Sequence, residues 1–271
     1  MIVGRCGILL RDGNYSELHL FGVEGPASNL EIQIAASKVA RYAVRESGDT
    51  LEMMERPAGG LSLVLADGQG SGAAAKALSH LVARRAASLL AEGVRDGAVA
   101  RATHDFLYAH KKGRVSVALH IVSVDLTTNT IVVSRNSDCP VIVVDPVHTH
   151  VYDQPCTPIG LYPRTRPVII EVPIAPGITV VVYSDGVLHA GERAGQPLDV
   201  VATLEGLLRG ERRELPDPGE AQAVADGLLA AAIAQDQGRP QDDVSVVVVA
   251  VRPLSPGGDT ARRLQVRFPI L

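Results

Sequence analysis

The chain has 271 residues, with 26 Lys+Arg against 30 Asp+Glu, a formal charge of −4, 46% apolar and 21% charged residues. At about 100–200 residues per domain this length allows one large domain or two small ones, each with a sizeable core, and the composition excludes extensive disorder. A slight acidic excess, 3% aromatics and no Trp argue against a nucleic-acid reader, which needs a basic groove and stacking platforms. No apolar run approaches the roughly 18 residues of a membrane span. The longest, residues 244–251, is Val-rich and interrupted by Ser245, as in a buried strand. The N-terminus carries no basic leader followed by a cleavable apolar segment. Cys6, Cys139 and Cys156 form an odd set without C-x-x-C pairing, which fits small core residues in a reducing compartment. The expectation is a cytoplasmic protein.

Residues 2–10 and 15–23 read as strands joined by Arg11-Asp12-Gly13-Asn14, a hairpin turn tolerant of positive φ. Residues 31–44 are mixed. Ile32 and Ile34 alternate as in a strand, Ala35, Val39 and Ala43 keep helical spacing, and the segment is read as strand followed by irregular chain. Strands over 51–55 and 61–66 flank the turn Arg56-Pro57-Ala58-Gly59-Gly60, and the second runs into Asp67-Gly68. An Ala-rich helix follows over 70–91, with Ala74, Leu78, Leu81, Val82 and Leu89 on one stripe, then a second over 96–109. Strands are expected over 114–125, 130–134, 141–144, 150–152, 168–172 and 178–183, separated by turn residues such as Thr127-Thr128-Asn129 and Ala175-Pro176-Gly177. Helices over 198–208 and 220–234 precede a last strand over 243–251.

Hairpin-length connections imply antiparallel pairing, and strands grouped between helix pairs differ from the βαβα order of a doubly wound sheet. The expected fold is therefore α+β: an α-β-β-α sandwich of two stacked, mainly antiparallel sheets flanked by helix pairs. One domain spans residues 1–251, and a Pro/Gly/Arg-rich tail spans 252–271. The alternating fragment Leu264-Gln265-Val266-Arg267-Phe268 in that tail is either an extra edge strand or a partner-binding arm.

Three acidic sites share one context, an apolar strand with a carboxylate at its end: Asp67 after Leu63-Val64-Leu65-Ala66, Asp185 after Val180-Val181-Val182-Tyr183-Ser184, and Asp242-Asp243 before Val244. Charges at the ends of buried strands are costly unless solvated, paired or metal-bound. Adjacent strands of a central sheet would bring Asp67, Asp185 and Asp242 to one edge. Two carboxylates 4 Å apart repel by about 4 kcal/mol at an effective dielectric near 20, so such a group needs cations. Hard oxygen ligands favour Mg²⁺ or Mn²⁺, and the sequence offers no Cys/His zinc set. His148 and His150 point to one face of a strand but have no third ligand beside them in the sequence. Gly68-Gln69-Gly70-Ser71-Gly72-Ala73 superficially matches a dinucleotide loop. Asp67 would repel a pyrophosphate there, and no parallel strand ending in an acid follows. Glycine is better explained as letting backbone approach a metal, with the Gly68 carbonyl available as a ligand.

Ser47-Gly48-Asp49, Ala66-Asp67-Gly68-Gln69-Gly70-Ser71-Gly72, Ser184-Asp185-Gly186-Val187 and Asp242-Asp243-Val244-Ser245 together resemble the metal-dependent PPM protein Ser/Thr phosphatases, in their bacterial SpoIIE-type branch. The resemblance spans residues 31–251 with four motifs in order. It implies the same sandwich with two Mn²⁺ or Mg²⁺ ions between the sheets. It also implies that Asp67 bridges both ions, that the Gly68 carbonyl binds one, and that Asp185 and Asp242 complete the other. Asp49 matches the family's additional acidic position, and Asp243 orients the turn. Gln69 departs from the usual apolar residue, and Arg135-Asn136-Ser137-Asp138-Cys139-Pro140 stands where many relatives carry a Gly-His-x-Pro loop, differences that touch substrate preference.

The function implied is hydrolysis of phosphoserine or phosphothreonine by metal-activated water without a protein nucleophile. The substrate would be a phosphorylated signalling protein of the STAS-domain class, by analogy with stand-alone RsbX-like members. The alternative is a non-catalytic signalling module that keeps the fold and binds a partner. Because the helix after Gly72 follows a metal-ligating loop, a partner that shifts it would switch metal occupancy, with Lys76 and Ser79 as sensitive positions.

Overall fold

Period-two alternation produces ten strands among the described residues of the computed structural model, which are 30–209, 220–254 and 261–267. In chain order they are β1 (Leu30–Val39), β2 (Asp49–Glu55), β3 (Leu61–Gly68), β4 (Val117–Asp125), β5 (Thr130–Asn136), β6 (Val141–Val144), β7 (Thr149–Tyr152), β8 (Val168–Pro173), β9 (Thr179–Tyr183) and β10 (Val244–Pro253). Helices α1 (Gly72–Ala91) and α2 (Asp96–Lys111) follow β3, and α3 (Asp185–Leu188), α4 (Val200–Arg209) and α5 (Glu220–Gln235) lie between β9 and β10. The hairpin expected over residues 2–23, Cys6 and Phe268 lie outside the described residues. Residues 261–267 are exposed and form no strand. Among the described residues no helix is long and apolar enough to cross a membrane.

The strands form two five-stranded sheets, ordered β1-β10-β9-β6-β7 and β2-β3-β4-β5-β8, and every strand pairing is antiparallel. Three apolar layers hold four tiers together. Val246, Val248 and Ala250 pack with Leu204, Val224 and Leu228 of α4 and α5. Val247, Val249 and Val251 pack with Leu63, Leu65 and Val122 of the facing sheet. Val64, Ala66 and Ile121 pack with Val82, Ala86 and Val99 of α1 and α2. The Val run of β10 is thus continuous because both its faces are buried, although its neighbours are antiparallel. The α-β-β-α sandwich expected from the element order is the architecture found.

Strand β2 begins at Asp49, two residues before the expected start, and β3 continues through Gly68. Both acids therefore sit in paired positions of a sheet, with Asp49 directly opposite Asp67. The four-residue α3 and the 3₁₀ turn Glu192–Ala194 are absent from the sequence reading, being too short to show a period.

Candidate metal centre

Alternation along β3 places Leu63 and Leu65 in the core between the sheets, so Asp67, two residues further, faces the same space at its end. Asp49 faces it from β2 and Ser245 from β10, and the Ser245 hydroxyl donates to Asp49 Oδ2 at 2.6 Å. Asp185 enters just past the end of β9 and Asp242 just before β10. The expectation that adjacent strands of one sheet carry Asp67, Asp185 and Asp242 is corrected here. Asp185 and Asp242 flank neighbouring strands of one sheet, whereas Asp67 and Asp49 belong to the other. The acids meet across the sandwich, at one open end of its middle layer.

Close backbone approach locks these segments together. A side chain at Gly68 would lie 2.2 Å from the Ala75 carbonyl, and one at Gly186 would lie 2.3 Å from the Asp243 carbonyl. Gly68 thus has a packing role, drawing the end of β3 against α1, beside the expected one of offering its carbonyl as a ligand. Asp243 does orient a turn. Its Oδ1 accepts from the Arg41 amide at 2.9 Å and its Oδ2 from the Gly48 amide at 2.7 Å, tying the irregular segment before Asp49 to the start of β10.

Burial and like charge act on the cluster together. Burial pushes the Asp67 carboxyl up to about 10, reinforced by Asp49, Asp185 and Asp242. Burial also raises Asp49 to about 6, with hydrogen bonds from Ser245 and Ser184 opposing the shift. Asp185 is raised by burial and then by Asp242. Asp49 stands opposite Asp67 across β2 and β3, and the charges of Asp185 and Asp242 act on Asp67 from the facing sheet. Carboxyls driven towards protonation by burial and by one another mark a place where positive charge is wanted. Asp49 Oδ1 is buried without any partner. An all-carboxylate donor set with an orphaned oxygen fits a hard divalent cation such as Mg²⁺ or Mn²⁺.

Two cations near the cluster escaped the sequence reading in this role. Lys38 at the end of β1 and Lys76 on α1 donate to the Asp49 carbonyl at 3.0 and 2.7 Å, and Lys76 also reaches Thr50 Oγ1 at 3.0 Å. Burial, then the neighbouring Lys76, lowers the Lys38 amine below its ordinary range. In the sequence Lys38 is one of two charges of β1, with Glu31, and nothing there separates it from a solvated strand charge. Both lysines donate to the Asp49 main chain and not to its carboxylate, and the Lys38 charge only partly offsets the upward shift of Asp49.

The loop Arg135-Asn136-Ser137-Asp138-Cys139-Pro140 holds itself. Arg135 is fully buried and donates to the carbonyls of Ser137 at 2.7 Å and of Gln154, and Asn136 Nδ2 donates to Thr165 Oγ1 at 2.8 Å. Gln69 Oε1 accepts from the Ser116 amide at 3.0 Å, fastening the chain entering β4. Cys139 and Cys156 are buried, and burial pushes the Cys139 thiol up to about 12, which keeps it protonated and unreactive.

The profile of the family described as Stage II sporulation protein E (SpoIIE) matches residues 57–252. No curated protein sequence matches the chain. Among solved structures, the PP2C phosphatase domain of SpoIIE from Bacillus subtilis, with a fragment of its regulatory domain, superposes with a TM-score of 0.69 at 20% identity. That match covers 82% of this chain and 64% of the other, so the chain spans less than two thirds of that structure. RsbX in complex with magnesium superposes with a TM-score of 0.61 at 13% identity, covering 83% and 99% of the two chains. The catalytic domain of the serine/threonine phosphatase PstP with two manganese ions gives 0.61 at 19% identity, covering 83% and 100%. These likenesses show a PPM-type Ser/Thr phosphatase fold, and with the profile spanning most of its length the chain belongs to the SpoIIE family of PPM phosphatases.

Proposed function

We propose that the chain is a metal-dependent protein Ser/Thr phosphatase, hydrolysing phosphomonoesters on a signalling protein of the bacterial stress or sigma-factor regulatory kind. A STAS-domain regulator is the favoured class of substrate and the cytoplasm the favoured location, by analogy with the stand-alone RsbX-like members. The observation that carries this reading is the convergence of Asp49 and Asp67, opposite one another on β2 and β3, with Asp185 and Asp242 from the ends of β9 and β10, all three acting on the Asp67 carboxyl. Two divalent ions, when bound, supply charge against the phosphate dianion and lower the pKa of water towards neutrality for in-line attack.

The residues of the chain supply position and charge. Asp67, opposite Asp49 and acted on by Asp185 and Asp242, would be the central ligand, with the Gly68 carbonyl beside it. Asp185 and Asp242 would be ligands from the facing sheet. Asp49, oriented by Ser245, presents Oδ1 as a further ligand. Four carboxylates would offset the four positive charges of two ions, so that a phosphate dianion would meet a site near neutrality. No side chain acts as nucleophile in this scheme, consistent with the protonated Cys139.

Hydrolysis of p-nitrophenyl phosphate at neutral pH with Mn²⁺, Mg²⁺ or chelator, beside Asp67→Asn, tests the proposal. Turnover should require the ion and vanish in the variant. Ion-independent turnover, or wild-type turnover in Asp67→Asn, would sink it. Absence of both turnover and Mn²⁺ binding in the wild type would favour a non-catalytic signalling module.

A further inference from the structure

The turn joining β6 to β7 gathers Asp145, His148 and His150, with one ligand atom of each lying within 4.8 Å of the others. The two histidines alone lacked a third ligand; folding supplies it through a tight turn. The Asp145 amide donates to the His148 carbonyl at 2.9 Å, with Pro146 at the position where its fixed φ favours the turn. Asp145 Oδ1 accepts from the amides of Val147 at 2.7 Å and His148 at 2.6 Å. One carboxylate oxygen is thus fixed, and the other, Oδ2, lies 2.8 Å from His150 Nε2.

His148, the residue before β7, and His150 within it lie on one side of the hairpin, their ring centroids 6.0 Å apart. Thr149, on the opposite side, donates to Glu205 Oε1 of α4 at 2.7 Å and anchors the hairpin. This site is remote from the acidic centre. Val144 at the end of β6 pairs with Thr179 at the start of β9, whereas Asp185 follows the other end of β9. At about 3.3 Å per residue the two sites lie about 20 Å apart.

We propose that Asp145, His148 and His150 form a second cation site, for a borderline ion of the zinc class. Two imidazoles with one carboxylate suit Zn²⁺, whereas Mg²⁺ prefers an all-oxygen set. Bonds of about 2.0–2.2 Å in tetrahedral geometry place ligand atoms roughly 3.3 Å apart. The Asp145–His150 pair is near that spacing already, and exposed His148 turns inward to complete three ligands, with water as the fourth. The ion replaces the proton between Asp145 and His150 and clips the tip of β7, the edge strand of its sheet.

The full chain, stripped with chelator and returned to excess Mg²⁺, is dialysed against Zn²⁺ beside the His148→Ala/His150→Ala variant, and bound zinc is counted. The wild type should hold one more zinc per chain than the variant, and Zn²⁺ should raise the melting temperature of the wild type alone. Equal zinc in the folded variant overturns the proposal. Should the double variant not fold, His148→Gln at the exposed tip decides: loss of the extra zinc supports the site, and its retention overturns it.

Discussion

Two buried polar clusters lie at the two ends of β3, one with a single carboxylate and one with four, and they are built on opposite principles. At the start of β3, Asp96 on the first turn of α2 meets Arg56 at 3.2 Å. The same guanidinium donates to Ser62 and Ser123 at 3.2 and 3.1 Å, and Ser123 closes the ring on Asp96 Oδ1. Charge is balanced and the hydrogen bonds are local. At the other end of β3, Asp67 meets three further aspartates, with the nearest lysines bound to a backbone carbonyl instead. A balanced buried cluster serves the fold, because its partners arrive with the chain. An unbalanced one awaits a partner from outside, so the two ends should respond oppositely to loss of charge.

The largest contrast is expected at Asp67. Asp67→Asn should reduce metal-dependent turnover by about 10³-fold or more, equivalent to about 4 kcal/mol, while leaving the metal-free protein at least as stable as wild type. Its folded pKa of about 10 lies above the ordinary 3.8. The stability it contributes is therefore complete below about pH 4 and is lost as pH rises towards 10 in chelator. The variant should lose that pH slope. A melting temperature in chelator that falls on substitution would contradict the comparison.

Arg56→Ala should do the reverse. Removing one partner of a buried pair leaves Asp96 uncompensated, which is destabilising by about 3–5 kcal/mol. Urea unfolding measures this, with turnover per folded molecule expected to stay near wild type. A loss below about 1 kcal/mol would show that Asp96 finds sufficient solvation without its arginine.

The balanced end was hidden in the sequence, where Arg56 reads only as the first residue of a turn; its counter-ion lies 40 residues away. The acidic end was legible because apolar runs ending in Asp are unusual enough to recur visibly. What periodicity did not reveal was sheet membership, since β3, β9 and β10 are all buried on both faces and look alike. Asp145 was missed for a similar reason: Asp-Pro marks a turn, but only the folded turn aims Oδ2 at His150. Four residues of α3 carry no period at all, so the helix that starts on Asp185 was invisible.

His120 on β4 tests a third kind of buried polar group, one kept neutral. It is almost fully buried with Nε2 unpartnered. Burial lowers its pKa to about 4, with a hydrogen bond to the Cys139 main chain opposing and Arg135 adding to the shift. A depressed folded pKa means stability is complete above the ordinary 6.5 and is lost as pH falls from there through 4. The full effect is about 3 kcal/mol. Urea midpoints should decline over that interval in wild type, and His120→Gln should flatten this part of the profile. An unchanged acid limb in a folded variant would assign the decline elsewhere.

The smallest effect sharpens the comparison most, because it separates holding the acidic centre from holding the fold. Lys76 shares the Asp49 carbonyl with Lys38, so Lys76→Met leaves that oxygen paired and keeps the stem packed. The loss should be about 1 kcal/mol in stability. Lys76 nevertheless joins α1 to β2, alongside the 2.7 Å contact between Thr50 and Ser79. Loosening that clasp lets Asp49 drift from Asp67, and the Mn²⁺ concentration giving half-maximal turnover should rise a few-fold while turnover at saturating Mn²⁺ is retained. Ser62→Ala, which weakens the balanced cluster by a similar amount, should leave the Mn²⁺ requirement untouched. Equal Mn²⁺ curves for both variants would mean that α1 does not set the position of Asp49, and that β2 and β3 alone hold the pair of acids in register.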